Sequence, residues 1–179
     1  TPRLAMDQIR LDYTNTLADA VSPERGVLES ELKELQPRAA QALQDVLARR
    51  DKDLRWLDLP YADEELEQIL DYCASVKGRF KNVVVLGIGG SALGTIALFT
   101  ALASPYHNDA PPGDLPRLFV LDNVDPDLVG EWMEHFHPEE TLFNVISKSG
   151  GTAETMSQFL VFRDALIRKL GQAEHRSHI

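Results

Sequence analysis

Hydrophobic residues follow two different periods along this chain, and the change falls near residue 80. Before that point, apolar side chains recur at the three- and four-residue spacing of amphipathic helices. After it, short runs rich in β-branched residues, typical of strands buried on both faces, alternate with helical patterns. Such alternation predicts a parallel sheet with right-handed crossovers. We therefore expect a helical segment over residues 1–80 that packs on an α/β domain over residues 81–179.

Three helices are predicted in the first region. Ser22 and Pro23 have the residue types of a helix N-cap and a first helical position, so a helix is expected to begin there. Pro37 should interrupt it, because proline lacks the N–H group that an interior helical position donates. A second helix should then follow over about 38–50 and a third over roughly 63–78.

The second region contains three predicted strands, each followed by a helix. The strands are expected at "NVVVLGI", "RLFVLDN" and "TLFNVIS", and the final "HRSHI" is typical of the first residues of another strand. The helix after the first strand is apolar nearly all round, so it is expected to be buried, with Ser91 as its cap. If the strand order is 2-1-3, the loops after strands one and three open at the carboxyl edge of the sheet, where ligands bind.

Composition adds limits to this picture. The net charge is −10 and the basic residues are dispersed, which argues against nucleic acid and anionic membranes as partners. There is no leader-like start and no apolar run of about 18 residues, so we expect a soluble protein. Cys73, the single cysteine, is typical of a reducing cytoplasm and is predicted to pack in a core. The start at Thr1 and the strand-like end predict that the chain is part of a longer protein.

The first unusual strand-to-helix corner, "GIGGSALG", is rich in glycine. Glycine lets the backbone approach a ligand closely and exposes peptide N–H groups, although an ordinary tight turn has the same composition. The segment from Gly87 to Ala92 is close to a dinucleotide-binding G-x-G-x-x-G motif. Asp122 would then be the ribose-binding acid, but it lies 30 residues beyond Ala92 rather than about 20. That interpretation also leaves the second corner without a role.

The second corner, "SKSGGT", combines three hydroxyl groups, an ammonium group and two glycines whose N–H groups are expected to be free. These residues are Ser147, Lys148, Ser149, Gly150, Gly151 and Thr152. The following helix points its positive end at the same corner, which favours a phosphate. Lys148 is the only lysine or arginine between Arg117 and Arg163, so its position at this corner is informative. The corner is therefore predicted to bind a phosphate group, and the surrounding hydroxyls and amides are suited to a sugar.

Three segments, "VVVLGIGGSALG", "LDNVDPD" and "VISKSGGTAET", together resemble the phosphoglucose isomerase family in order and spacing, and the resemblance covers residues from about 50 to 170. It implies a SIS-type, flavodoxin-like parallel sheet with flanking helices, a three-layer sandwich preceded by the helical segment and truncated before its last strands. It also implies interconversion of glucose 6-phosphate and fructose 6-phosphate through a cis-enediol. No metal or organic cofactor is expected.

The resemblance implies a role for each residue of the two corners. Thr155, one turn into the following helix, would be peripheral, and the threonine that is usual in the family is replaced by Gly151. The glutamate and histidine that act in catalysis would come from sequence beyond this chain, so the chain alone is expected to be inactive and the whole enzyme to be a homodimer. The residues implied to bind the substrate are Ser147, Lys148, Ser149 and Thr152 for the phosphate and Gly90 and Ser91 for the sugar.

Two other functions stay open. A non-catalytic SIS module would bind sugar phosphates with the same loops, and a Rossmann-type oxidoreductase domain would bind a nucleotide at the glycine turn. Other polar residues have structural explanations. His135 and His137 lack a third ligand, so a metal site is not expected. Asp122, Asn123 and Asp125 are expected to cap a helix and shape the pocket rather than to act as a base.

Overall fold

The structure is a computed structural model that describes residues 10–179. The chain divides into two compact units, residues 1–65 and 66–179. The first contains helix α1 (Glu29–Leu47) between two short 3₁₀ segments, Thr14–Thr16 and Arg55–Tyr61. Leu17 and Val27 form an isolated parallel bridge ahead of α1.

The prediction that a helix begins at Ser22 is wrong. The Ser22 carbonyl accepts two N–H groups in a turn, and the chain then crosses over Ala18 in the Leu17–Val27 bridge. A Cβ atom on Gly26 would lie 2.3 Å from the Ala18 Cα, so this crossing needs glycine. Helix α1 begins only after the crossing, where the Glu31 carboxylate accepts the N–H of Leu28. The pairing of Leu17 with Val27 has therefore overridden the helix-start signal of Ser22 and Pro23.

The predicted break at Pro37 is also wrong, because α1 continues through this proline as one 19-residue helix. The proline removes the hydrogen bond that would reach the Lys33 carbonyl. Both residues are exposed, so water can take the place of the missing donor.

The second unit carries the sheet and the remaining helices. A helix over Asp63–Val76 agrees with the one predicted near residue 63, and the other elements alternate as expected. Within the described chain the three strands form a parallel sheet in which the first strand lies between the second and the third, the order under which the two corners were expected to share an edge. The elements are α2 (Asp63–Val76), β1 (Asn82–Leu86), α3 (Gly90–Leu102), β2 (Arg117–Leu121), α4 (Pro126–His135), β3 (Thr141–Val145) and α5 (Ala153–Glu174), with 3₁₀ segments at Pro138–Glu140 and His175–His178.

The core of this unit lies where α5 packs on the sheet. Phe143 of β3 stacks on Phe162 of α5 with ring centroids 4.9 Å apart, and Phe136 meets both rings edge-on. Val84 and Leu166 in the same cluster have no exposed surface. The expected α/β class, a parallel sheet flanked by helices in the manner of SIS domains, is confirmed.

Two predictions about burial are wrong. Helix α3 exposes Leu93, Leu98 and Leu102, and Ala92 is its one buried residue. Cys73 is exposed on α2. An apolar pattern predicts a surface that favours contact, but it does not identify the element that covers that surface.

The final residues form a 3₁₀ turn rather than the predicted strand. His178 is buried, and its Nδ1–H donates to the Thr141 carbonyl at 2.8 Å. Its ring also meets Phe80 edge-on, with centroids 5.0 Å apart. A side chain thus takes the edge carbonyl that a neighbouring strand would have paired with.

None of the helices described between residues 10 and 179 is both long enough and apolar enough to cross a membrane.

Candidate functional site

The order of the strands brings the two unusual corners to the same edge of the sheet. Strands β1 and β3 are neighbours, with Leu86 beside Val145 at their carboxyl ends. The Ile146 N–H donates to the Leu86 carbonyl at 2.9 Å, so the pairing continues up to the corners. The glycine corner begins directly after β1 and the hydroxyl corner directly after β3.

The glycine corner is a tight turn that needs two of its glycines. Gly89 has φ 54° and ψ −124°, in the left-handed half of backbone space, and the Ser91 N–H closes the turn on the Ile88 carbonyl at 3.1 Å. A Cβ atom on Gly87 would lie 2.9 Å from the Ser91 carbonyl oxygen, so the start of α3 approaches β1 closely only because this residue is glycine.

The turn leaves donors without acceptors at the start of α3. Within residues 10–179, the N–H groups of Gly89 and Gly90 and the half-buried Ser91 hydroxyl have no hydrogen-bond partner. The prediction that Ser91 caps the helix is wrong, because Gly89 occupies the N-cap position and no side chain caps the helix. The free donors are available to a ligand.

The hydroxyl corner is closed on itself by side-chain hydrogen bonds. The Ser147 hydroxyl oxygen accepts the Gly150 N–H at 3.0 Å and lies 3.3 Å from the Thr152 hydroxyl. The Ser149 hydroxyl oxygen accepts the Gly151 N–H at 3.2 Å. The prediction that both glycine N–H groups are free is therefore wrong, because the neighbouring serines satisfy them.

Several positive groups at this corner are still uncommitted. Thr152 is the N-cap residue of α5, but its side chain makes no capping hydrogen bond, so the first-turn N–H groups of the helix lack a side-chain acceptor. The Lys148 side chain is exposed and has no salt bridge in the described chain. Hydroxyl protons, an ammonium group and the positive end of α5, which is regularly helical as far as a kink at Gly171, together favour a phosphate at this position.

Two polar residues behind the corner are buried, which was not predicted for either. Thr155, predicted to be peripheral, is 1% exposed, and its hydroxyl has no partner among the described residues. Gln158 is also buried, and its Nε2 donates to the Asn123 carbonyl at 2.8 Å, which ties α5 to the turn after β2. Both lie on the apolar face of α5 with Phe162, so the helical period of that face was the available signal.

The other polar residues singled out by the sequence have structural roles. Asp125 caps α4, as predicted, and its Oδ1 accepts the N–H groups of Asp127 and Leu128 at 2.9 and 3.1 Å. His135 is exposed and lies 3.6 Å from Glu131 of the same helix. The described residues contain no group of three side chains suited to hold a metal ion.

Comparison with known proteins identifies the family. Residues 66–179 match the family model described as phosphoglucose isomerase.

The chain belongs to the phosphoglucose isomerase family.

Named relatives agree with this assignment. The glucose-6-phosphate isomerase of Carboxydothermus hydrogenoformans is 36% identical over 92% of the chain, and that of Rubrobacter xylanophilus is 38% identical over 93%. The chain spans only 36% and 37% of the length of these two members of the phosphoglucose isomerase family.

Solved structures with related sequences share the fold of this chain. A hypothetical protein of Thermus thermophilus, TT0462, superposes with a TM-score of 0.69 at 34% identity, over 83% of this chain and 34% of the other. A glucose-6-phosphate isomerase of Chlamydia trachomatis has a TM-score of 0.52 at 32% identity, over 62% of this chain and 20% of the other. The fold of this member of the phosphoglucose isomerase family is therefore shared with solved relatives.

Proposed function

We propose that this chain supplies the sugar-phosphate-binding part of a glucose-6-phosphate isomerase, an aldose–ketose isomerase that interconverts glucose 6-phosphate and fructose 6-phosphate. Family membership supports the reaction. The observation that carries the assignment of the site is the meeting of the glycine and hydroxyl corners at one sheet edge, next to the positive end of α5. A cytoplasmic homodimer is part of this proposal.

The hydroxyl corner binds the phosphate in this proposal, through Ser147, Lys148, Ser149 and Thr152. Phosphate oxygens replace the serine oxygens as acceptors for the glycine N–H groups and also accept the serine hydroxyl protons. The closed corner thus opens onto its ligand without leaving backbone donors unpaired. Lys148 adds a charge-assisted hydrogen bond, which is stronger than a neutral one.

The glycine corner faces the sugar in the same proposal. The free N–H of Gly90 and the Ser91 hydroxyl are donors that can bond to sugar oxygens, and the absence of a side chain at Gly90 lets the ring approach the backbone.

Proton transfer between C1 and C2 of the sugar needs a positioned base. We propose that this base, a glutamate, is supplied by sequence outside the 179 residues, and that no residue of this chain replaces it. The chain alone then binds substrate without converting it, through residues that need neither a metal nor an organic cofactor.

Calorimetric titration of the chain with glucose 6-phosphate tests the binding proposal. We expect saturable binding, and Lys148→Gln should weaken it about tenfold because a charge-assisted bond is lost. Lys169→Gln is the matched control, since Lys169 is an exposed lysine far along α5. Binding of NAD without binding of glucose 6-phosphate would instead support a nucleotide-binding domain.

A turnover assay separates the enzyme from a non-catalytic module. The chain alone should not convert fructose 6-phosphate, whereas the complete protein should, and Lys148→Gln in the complete protein should raise KM. A complete protein that binds sugar phosphates but never converts them would be a binding module. Conversion by the chain alone would show that the proposed division of the site is wrong.

A further inference from the structure

A cavity lies at the opposite edge of the sheet, where strands β1 and β2 begin. Its volume is about 390 Å³. Each strand is five residues long, so the cavity is roughly 13–16 Å from the carboxyl edge that carries the proposed phosphate site. The lining includes Phe80, Lys81, Asn108, Asp109, Asp114 and Arg117.

Arg117, the main cationic residue of the cavity, is fixed by a row of side-chain hydrogen bonds that joins the first residues of the three strands. Asn82 lies beside Arg117 on one side and Thr141 on the other. The Arg117 Nε donates to the Asn82 Oδ1 at 2.8 Å, the Asn82 Nδ2 donates to the Thr141 Oγ1 at 3.3 Å, and the Thr141 hydroxyl donates to the His137 carbonyl at 2.8 Å. Asn82 is 5% exposed and Thr141 is fully buried, so the row is held inside the protein.

This row holds the guanidinium group in place but satisfies only one of its nitrogens. The terminal nitrogens of Arg117 have no hydrogen-bond partner in the described part of the chain. Lys81, the other cation in the lining, is paired with Glu140. The Arg117 side chain is therefore half-buried, and the two terminal nitrogens of its guanidinium group are free to donate. These paired donors match the two oxygens of a carboxylate.

The wall opposite the strands is also held in place. The Asn108 side chain donates to the Leu118 carbonyl at 2.8 Å and accepts the Leu118 N–H at 2.9 Å, as a neighbouring strand would. The His107 Nε2–H donates to the Pro116 carbonyl at 2.9 Å. The loop that carries Asp109 and Asp114 is thus fastened beside β2 at its start, through His107 and Asn108.

We propose that this cavity is a second ligand site, which binds a small carboxylic acid that also carries an ammonium or hydroxyl group. The carboxylate of the ligand pairs with the free end of Arg117, and its donor group bonds to Asp109 or Asp114. The same two aspartates disfavour a phosphate dianion, which brings two negative charges and few donors. Amino acids and hydroxy acids share this chemistry.

Nuclear magnetic resonance on the ¹⁵N-labelled chain tests this proposal. The side-chain amide signal of Asn108 reports on the cavity directly, and that of Asn82 reports on it through the hydrogen bond to Arg117. Free L-serine, D-glycerate, acetate and inorganic phosphate are each titrated to about 20 mM, which detects affinities in the millimolar range. We expect serine or glycerate to shift these signals in a saturable way, and which of the two does so identifies the ligand class. Acetate should bind at least about fivefold more weakly.

Variants make the result decisive. Arg117→Lys keeps the charge but removes the fork, and it should weaken binding about tenfold. Arg168→Lys is the matched control, because Arg168 is exposed on α5 and pairs with Asp164. Asp109→Asn and Asp114→Asn, both in the exposed loop, should together weaken the serine or glycerate complex without affecting acetate, and this pair keeps the test valid if Arg117→Lys unfolds the chain.

Three results would overturn the proposal. The first is the absence of any shift with serine and glycerate, and the second is acetate binding as tightly as either. The third is phosphate binding in preference to the carboxylates. None of these measurements involves Lys148 or glucose 6-phosphate, so the outcome is independent of the proposed isomerase function.

Discussion

The two edges of the sheet present hydrogen-bonding groups of different kinds. At the carboxyl edge the donors belong mainly to backbone turns and short hydroxyl side chains, and the hydroxyl corner bonds to itself. At the amino edge a row of side-chain hydrogen bonds, from Arg117 through Asn82 to Thr141, crosses all three strands. The first arrangement can open around a ligand, whereas the second presents a group whose position is already fixed. A single small sheet can therefore present an adaptable set of hydrogen-bonding groups at one edge and a rigid set at the other.

The largest expected effect is a loss of stability in the core, on which both edges of the sheet depend. Phe162→Ala removes a ring that stacks on Phe143 and is 1% exposed. We expect a loss of about 3–5 kcal/mol in the free energy of unfolding, because the cavity left behind adds to the lost burial. Chemical denaturation measures it. Phe159→Ala, a partly buried neighbour, should cost clearly less. Equal losses would mean that α5 does not pack as described.

A substitution in the row of side-chain hydrogen bonds should affect the amino edge of the sheet alone. Asn82→Leu leaves Arg117 and the Thr141 hydroxyl without their partner, and we expect a loss of about 1–3 kcal/mol in the free energy of unfolding. Thermal denaturation measures the stability, and glucose 6-phosphate titration measures the other edge. Binding of the sugar phosphate should be unchanged within about twofold in a folded variant. A large change in that affinity would show that the two edges are coupled.

The glycine corner supplies the opposite test. Gly89→Ala places a side chain at positive φ, and we expect a cost of about 1–2 kcal/mol. Gly94→Ala is the matched control: it lies inside α3 with open space around its Cβ position, and it should stabilise the protein by up to about 1 kcal/mol. Both are measured by denaturation. If both substitutions changed stability in the same direction, the turn would not have the conformation described.

The smallest effect concerns the surface pair at the amino edge. The Lys81 ammonium holds the pKa of Glu140 below its ordinary value of 4.5. A depressed pKa contributes stability that is present above pH 4.5 and lost as the pH falls through the folded-state value. Glu140→Gln should therefore flatten the acid limb of the stability curve slightly, with no change near neutral pH beyond loss of the exposed pair. An unchanged acid limb would contradict this.

What could be predicted from the sequence follows the same division between the edges. Continuous apolar strands, glycines and hydroxyls are local signals, so the α/β class and both corners could be predicted, whereas the 2-1-3 strand order entered only as a condition. The row at the amino edge was not, because Asn82 bonds to partners 35 and 59 residues away and depends on strand register. The hydrogen bonds of the Gly150 and Gly151 N–H groups were not predicted, because Ser147 and Ser149 were expected to bond only to the ligand.

The errors in the helices have a related cause. Pro37 and Ser22 were interpreted from local rules, but a solvent-facing helix tolerates one and a close chain crossing overrides the other. The exposure of α3 could not be predicted, because the apolar character of a surface does not specify what lies against it.

The contact between His178 and the Thr141 carbonyl has a consequence for behaviour at high concentration. Within the described chain β3 pairs only with β1, and a strand with one open side is a template for strands from other molecules. The imidazole ring sits on that side and occupies one of the positions where an incoming strand would bond. At high concentration the buried His178 ring would therefore hinder association of molecules through the open side of β3.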